Sequence, residues 1–115
     1  MLPKPLVAAS VRPIILTLLA DQAMYGYEII QRVRTISDGQ IQWTPGKLYP
    51  LLHGLENQGL IEAFWRPSEE GPDRKYYRLT ERGALALAGE KQSWLDLNAI
   101  LVRLWGPDVH LQPAR

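Results

Sequence analysis

The chain has 115 residues, 46% of them hydrophobic and 22% charged, with no cysteine and a formal net charge of +1. That length suits one domain with a modest core. The missing cysteines exclude disulfides, thiolate nucleophiles and cysteine-ligated zinc, and no apolar run approaches the roughly 20 residues that cross a bilayer. The opening "MLPKPLVAAS" has one lysine and a broken apolar run. It does not read as a secretory signal, so the expected compartment is the cytoplasm, with no membrane partner. A net charge of +1 supplies no global basic footprint of the kind nucleic-acid binders show. The local distribution is more informative: Arg66, Arg74, Lys75, Arg78 and Arg82 stand against Glu69, Glu70, Asp73 and Glu81.

The first periodic block is "VRPIILTLLA". Ser10 is the expected N-cap, with Pro13 in the first turn, where a missing N–H costs least. Val11, Ile14, Ile15, Leu18 and Leu19 form its apolar stripe. "DQAM" reads as a loop. "YGYEIIQRVRTISDG" reads as a second helix with Ile29, Ile30 and Val33 inside, stopped by Asp38-Gly39. "QIQW" reads as a short extended segment.

Then comes "TPGKLYPLLHGLENQ". Leu48, Leu51, Leu52 and Leu55 recur at helical spacing, yet Pro45, Gly46, Pro50 and Gly54 are poor helix formers. The proline is tolerable if the regular helix starts near Gly46 or Lys47. Gly59 is its expected stop. A helix built this way suits a front end that must approach another molecule closely.

After Gly59 the period changes. "LIEAFWR" and "RKYYRLT" read as strands around "PSEEGPD", a hairpin whose tip is too long for a two-residue turn. Lys75, Tyr77 and Leu79 share the core side, and Tyr76 and Arg78 the other. Thr80 caps a last helix that runs to Gly106-Pro107. The expected fold is therefore mainly α with a small β-hairpin. It is a winged helix-turn-helix over residues 6–80, a long C-terminal dimerisation helix over 81–105 and a flexible tail over 106–115. In that order of elements the third helix enters the DNA major groove with its N-terminal end foremost.

"GYEI" at 26–29, "TPGKLYPLLHGLENQGLI" at 44–61 and "GPDRKYYRLTERG" at 71–83 resemble the PadR family of bacterial transcriptional regulators. The ordered match spans about Leu6 to Trp105. The resemblance implies a two-fold dimeric winged-helix repressor, often sensing a small molecule, of the short type with a single C-terminal helix. Two departures stand out. Position 54, commonly basic in that family, is glycine here, and Asp73 lowers the charge of the wing tip.

On this reading the DNA-binding candidates are Tyr25, Thr44, Pro45, Gly46, Lys47, Tyr49, His53, Arg74, Lys75 and Tyr76. Several carry a plainer alternative. Lys47 either meets guanine or phosphate or is an exposed lysine without a task. Thr44 caps the helix whether or not it also meets phosphate. Tyr49 faces the groove or covers the core, and one of Tyr25 and Tyr27 packs inside while the other is free for phosphate. Arg74 and Lys75 reach the sugar-phosphate backbone or simply solvate a hairpin. His53 has no second ligand nearby, so it reads as phosphate-adjacent or surface, and no metal or cofactor is expected.

The last helix carries Leu87, Trp94, Leu97, Leu101 and Leu104 at a/d spacing, more apolar surface than a small domain covers alone. These are the expected dimer-interface residues, with a second face packed on the first helix. In some relatives tryptophans of this helix stack planar aromatic ligands at the dimer centre. Trp94 and Leu97 are therefore candidates for an effector pocket, the alternative being a plain interface anchor. No nucleophile–base arrangement suggests an enzyme. The remaining alternative is a winged-helix protein-interaction module without DNA binding. The expected partners are thus double-stranded DNA, a second copy of the chain and a planar aromatic effector.

Overall fold

A computed structural model describes residues 2–106. Its elements in chain order are α1 (Lys4–Asp21), β1 (Met24–Tyr25), α2 (Gly26–Ile36), α3 (Pro45–Asn57), β2 (Ile61–Ser68), β3 (Gly71–Leu79) and α4 (Glu81–Trp105). The fold is mainly helical with a small three-stranded antiparallel sheet, ordered β1-β3-β2. The core lies between α1, α2, α3 and the inner face of that sheet, where Ile15, Leu16, Met24, Ile29, Leu48, Leu52, Ile61 and Tyr77 are fully buried.

α1 begins at Lys4, not beside Ser10. Its N-cap is Pro3, whose carbonyl accepts from the N–H groups of Leu6 and Val7, and Pro5 already occupies the first turn. Ser10 lies inside the helix, its hydroxyl donating to the Val7 carbonyl at 2.8 Å. Pro13 is consequently an interior proline, which removes the bond to the Ala9 carbonyl. Ala9 is exposed, so water can reach that carbonyl. Burial of Ile15, Leu16, Leu18 and Leu19 one turn later offsets the loss.

The segment expected as a loop before α2 supplies a third strand. Met24 pairs with Tyr77 and Tyr25 with Tyr76. Two residues are too few to display the alternation that marks a strand in sequence. α2 follows at once, the Glu28 carboxylate accepting from the Tyr25 N–H at 3.1 Å. It ends where Asp38 and Gly39 adopt φ of 52° and 79°, and the Gly39 N–H returns to the Arg34 carbonyl. The following "QIQW" forms no strand. It drops Ile41 and Trp43 into the core, and the indole N–H of Trp43 finds no partner among the described residues.

The hairpin is longer than its sequence suggests, and its tip is the two residues Glu69-Glu70, with Ser68 opposite Gly71. Between Arg66 and Ser68 the register slips, so Pro67 sits at an irregularity on the edge strand of the sheet. A residue without an N–H is tolerated there. The slip lets pairing resume beyond a proline that, in sequence, looks like the end of the strand.

α4 is held to the rest of the chain most firmly over its first ten residues. Thr80 accepts from the Gly83 N–H at 3.0 Å and donates to the Gly59 carbonyl at 2.6 Å. Gly83 packs so closely on the Leu60 carbonyl that a Cβ would collide with it. Leu87 belongs to this chain's own core at 5% exposure, so it is not surplus surface for a partner. One turn further, Arg12 of α1 pairs with Glu90 at 2.9 Å. Beyond that ion pair the helix projects, giving the molecule a long dimension of 54 Å against 30 and 21 Å. Of the tail assigned to residues 106–115, all but Gly106 lies outside the described residues.

Candidate nucleic-acid interface

α3 starts at Pro45, one or two residues earlier than its composition suggests. Thr44 caps it, the hydroxyl accepting from the Lys47 N–H at 3.3 Å, while the Thr44 carbonyl receives the N–H groups of Lys47 and Leu48. Pro45 needs no partner in the first turn. Pro50 is inside the helix, so the Gly46 carbonyl loses its donor. Gly46 is exposed, and the open carbonyl faces water. Leu48, Leu52 and Leu55 hold the inner side against the core.

The outer side is formed by exposed Gly46, Pro50, His53 and Asn57, with Lys47 on one flank and Tyr49 on the other. Nothing lies within contact distance of where a Gly54 side chain would begin. The surface is low and narrow, able to enter a groove, but it carries few side chains of its own.

Tyr49 lies partly over α2 and partly in the open. A Cβ on Gly26 would meet its hydroxyl oxygen at 2.7 Å, so the ring rests on the first residue of α2 while 41% of Tyr49 stays exposed. Gly26 is thus the seat that fixes α3 against the start of α2. Its only signal in the sequence is a glycine between two tyrosines. The neighbouring Tyr77 phenol is pushed above its ordinary pKa by burial first, then by the Glu56 carboxylate and Tyr49. It stays neutral and serves packing.

The remaining candidates lie on the sheet. Tyr25 and Tyr76 meet edge to face with centroids 5.4 Å apart, and the Arg74 guanidinium lies 4.6 Å over the Tyr25 ring. Tyr27 is exposed instead, accepting from Gln31 at 2.7 Å. Lys75 points to the opposite face, its ammonium 5.6 Å from the Tyr77 ring. Arg74 and Lys75, adjacent in sequence, therefore do not act from one surface. The candidates form two groups: Thr44, Pro45, Gly46, Lys47 and His53 on α3, and Tyr25, Arg74 and Tyr76 on the outer sheet face. Tyr49 rests on Gly26, the residue that follows Tyr25.

This arrangement of helices and wing recurs in known proteins. The PadR-like transcriptional regulator family model matches residues 15–89. The chain belongs to that family. Among curated relatives, the transcriptional regulator Rv3488 of Mycobacterium tuberculosis is 35% identical over 89 residues, covering 77% of this chain and 79% of its own. The transcriptional regulator YqjI of Escherichia coli is 33% identical over 87 residues, but this chain spans only 36% of its length. The PadR-like regulator of Bacillus cereus superposes with a TM-score of 0.80 at 28% identity, over 91% of this chain and 100% of its own. A PadR family regulator from Clostridium difficile gives a TM-score of 0.75 at 29% identity, over 84% and 99% of the two chains. This chain is accordingly a PadR-like winged-helix transcriptional regulator. No helix among its described residues is long and apolar enough to cross a membrane.

Proposed function

We propose that this PadR-like protein is a repressor that binds a pseudo-palindromic duplex as a homodimer and releases it in response to a planar aromatic effector. The winged domain, residues 6–80, makes the DNA contacts, and the helix of residues 81–105 joins the two copies. The observation that carries this reading is the front of α3. Thr44 to Lys47 stand exposed on a capped helix start, and the outer sheet face of the same domain carries Tyr25, Arg74 and Tyr76. Such a helix end presents N–H groups and a partial positive charge to phosphate while its side chains reach base edges.

The dimer rests on the far part of α4. Leu97, Ile100, Leu104 and Trp105 are 46%, 51%, 75% and 59% exposed, a concentration of apolar surface that calls for a partner helix. Trp94 and Leu101 are half-buried on the same helix. Two copies of Trp94 near the two-fold axis, walled by Leu97, suit a flat aromatic molecule. Such a ligand acts on DNA affinity only by preferring one spacing of the two α3 helices.

A footprint on the DNA upstream of the coding region tests the proposal. Expected are paired protections about 10 bp apart, centre to centre, related by symmetry. Monomeric binding, or indifference to half-site spacing, would overturn the dimeric mechanism. Absence of any salt-dependent duplex binding would point to the protein-interaction reading, which the sparse outer face of α3 favours. For the effector, planar dyes should quench tryptophan emission in the parent protein but not in Trp94→Ala. Equal quenching in both would leave Trp94 as an interface anchor.

A further inference from the structure

A cleft of about 470 Å³ opens between the start of α1, the loop from α2 to α3 and the side of α3. It contains no residue of α4, so it is separate from the place read for Trp94. Its size falls within the roughly 300–1,000 Å³ of small-molecule sites. Val7, Ala8, Val11, Ile41 and Leu51 give it aliphatic walls, and the Trp43 ring adds an aromatic one. Lys4 of α1 and Lys47 of α3 also line it, and among the described residues no acidic side chain does. Neither lysine forms an ion pair among those residues.

Trp43 makes this cleft more than a surface hollow. The residue is 3% exposed, and its indole N–H has no acceptor among the described residues. Burying a donor without a partner is unfavourable, and a phenylalanine would fill the core without leaving one. The wall beside it is already set. Residues 37–44 form neither strand nor helix, yet side chains fix their course. The Ser37 hydroxyl accepts from the Ile41 N–H at 3.0 Å, and the Gln42 amide donates to the Gly39 carbonyl at 3.0 Å. A wall held in this way lowers the ordering cost of binding.

We propose that this cleft binds a medium-chain alkyl carboxylate. The chain lies along the aliphatic walls, and the carboxylate meets Lys4 and Lys47. One carboxylate oxygen supplies the acceptor that the Trp43 N–H lacks. That N–H is closed to water, so the ring tilts toward the ligand as it binds, and its emission changes with it. Aliphatic walls favour an alkyl chain over a flat aromatic body, and two lysines without counter-ions favour an acid over a neutral molecule. Lys47 is also a candidate DNA contact. A ligand that engages it competes with duplex for the same side chain, a consequence that rests on the DNA-binding reading above.

The test is titration of the full-length protein with octanoate by calorimetry, with tryptophan emission recorded in parallel. One molecule should bind per protomer. 1-Octanol, with the chain and no charge, and acetate, with the charge and almost no chain, should each bind roughly tenfold more weakly or less. Lys4→Gln should weaken octanoate by about tenfold with an unchanged melting temperature. Ala8→Phe, at an exposed position of α1, should fill the cleft and abolish binding. Trp43→Phe should bind more weakly and lose the emission response, whereas Trp94→Ala should bind as the parent does. Binding that survives Ala8→Phe unchanged, or that is lost in Trp94→Ala, overturns the site. Equal affinity for 1-octanol overturns the carboxylate assignment. Octanoate should also lower the affinity of the parent, but not of Ala8→Phe, for the footprinted duplex. Unchanged duplex affinity in the parent overturns the competition for Lys47. A parent protein that binds octanoate in this cleft but no duplex overturns only the DNA-binding reading.

Discussion

α3 and α4 carry similar leucine stripes, and the chain treats them in opposite ways. Leu48, Leu52 and Leu55 of α3 are at most 6% exposed, covered by the sheet and the other helices. On α4 only Gly83 and Leu87 are buried, while Leu95 is 62% and Leu104 75% exposed. The difference is one of reach. α3 lies across the core, whereas α4 leaves it after the Arg12–Glu90 pair. A stripe is therefore a demand for burial, and only its position in the fold says whether the same chain meets it. Weak helix formers show the same logic on the polar side, since α3 tolerates Pro45, Gly46 and Pro50 because its inner leucines hold it in place.

The contrast can be tested from its largest consequence downward. Leu52→Ala should cost about 2–5 kcal/mol of folding stability through a cavity inside the chain. Its denaturation midpoint should fall equally at all protein concentrations, and a strongly concentration-dependent change would place Leu52 at an interface.

Ending the chain before Gln92 should leave a folded winged domain that sediments as a monomer or is poorly soluble, and that no longer binds its operator. The stripe it removes is Trp94, Leu97, Leu101 and Leu104, and its burial in a dimer stabilises by several kcal/mol at ~25 cal/mol per Å². A soluble dimer of this shortened chain that still binds would mean that the interface lies elsewhere.

On the polar side of α3, Lys47→Ala should weaken operator binding by about 1–3 kcal/mol if it reads a base, with circular dichroism unchanged. Equal loss on scrambled DNA would make it a phosphate contact instead. The smallest effect is expected at position 54. Gly54→Arg should fit, because no atom lies within 4 Å of the new Cβ, and it should gain about 1 kcal/mol in helix propensity. Tighter and more salt-dependent DNA binding by that variant would show that the glycine limits contact, while an unchanged slope would place position 54 away from phosphate.

Much of the fold was legible because its signals are local. Ile29, Ile30 and Val33 declare the inner side of α2 by spacing alone, and all are buried. The stops at Asp38-Gly39 and Gly59 are written in residues that accept positive φ. Thr44 and Thr80 cap their helices as composition suggests. α1 misled for an equally local reason. Ser10 and Pro13 imitate a helix start, but Pro3 and Pro5 provide an earlier one, and core packing carries the interior proline.

The sequence by itself determined the four helices and the β2–β3 hairpin, the inward leucines of α3, the alternation of Tyr76 and Tyr77 and the excess of apolar surface on α4. Each of these follows from a period or a cap within a few residues, which a linear chain displays directly. Tertiary structure alone decided which surfaces those elements make together. It drew Met24 and Tyr25 into the sheet beside residues about fifty positions later, and it let pairing resume past Pro67. It also seated Tyr49 on Gly26, put Leu87 inside the core and set Arg66 opposite Arg74 over a row of rings. These relations join residues with no periodic link along the chain, so they exist only once the backbone has closed and brought the two sides together.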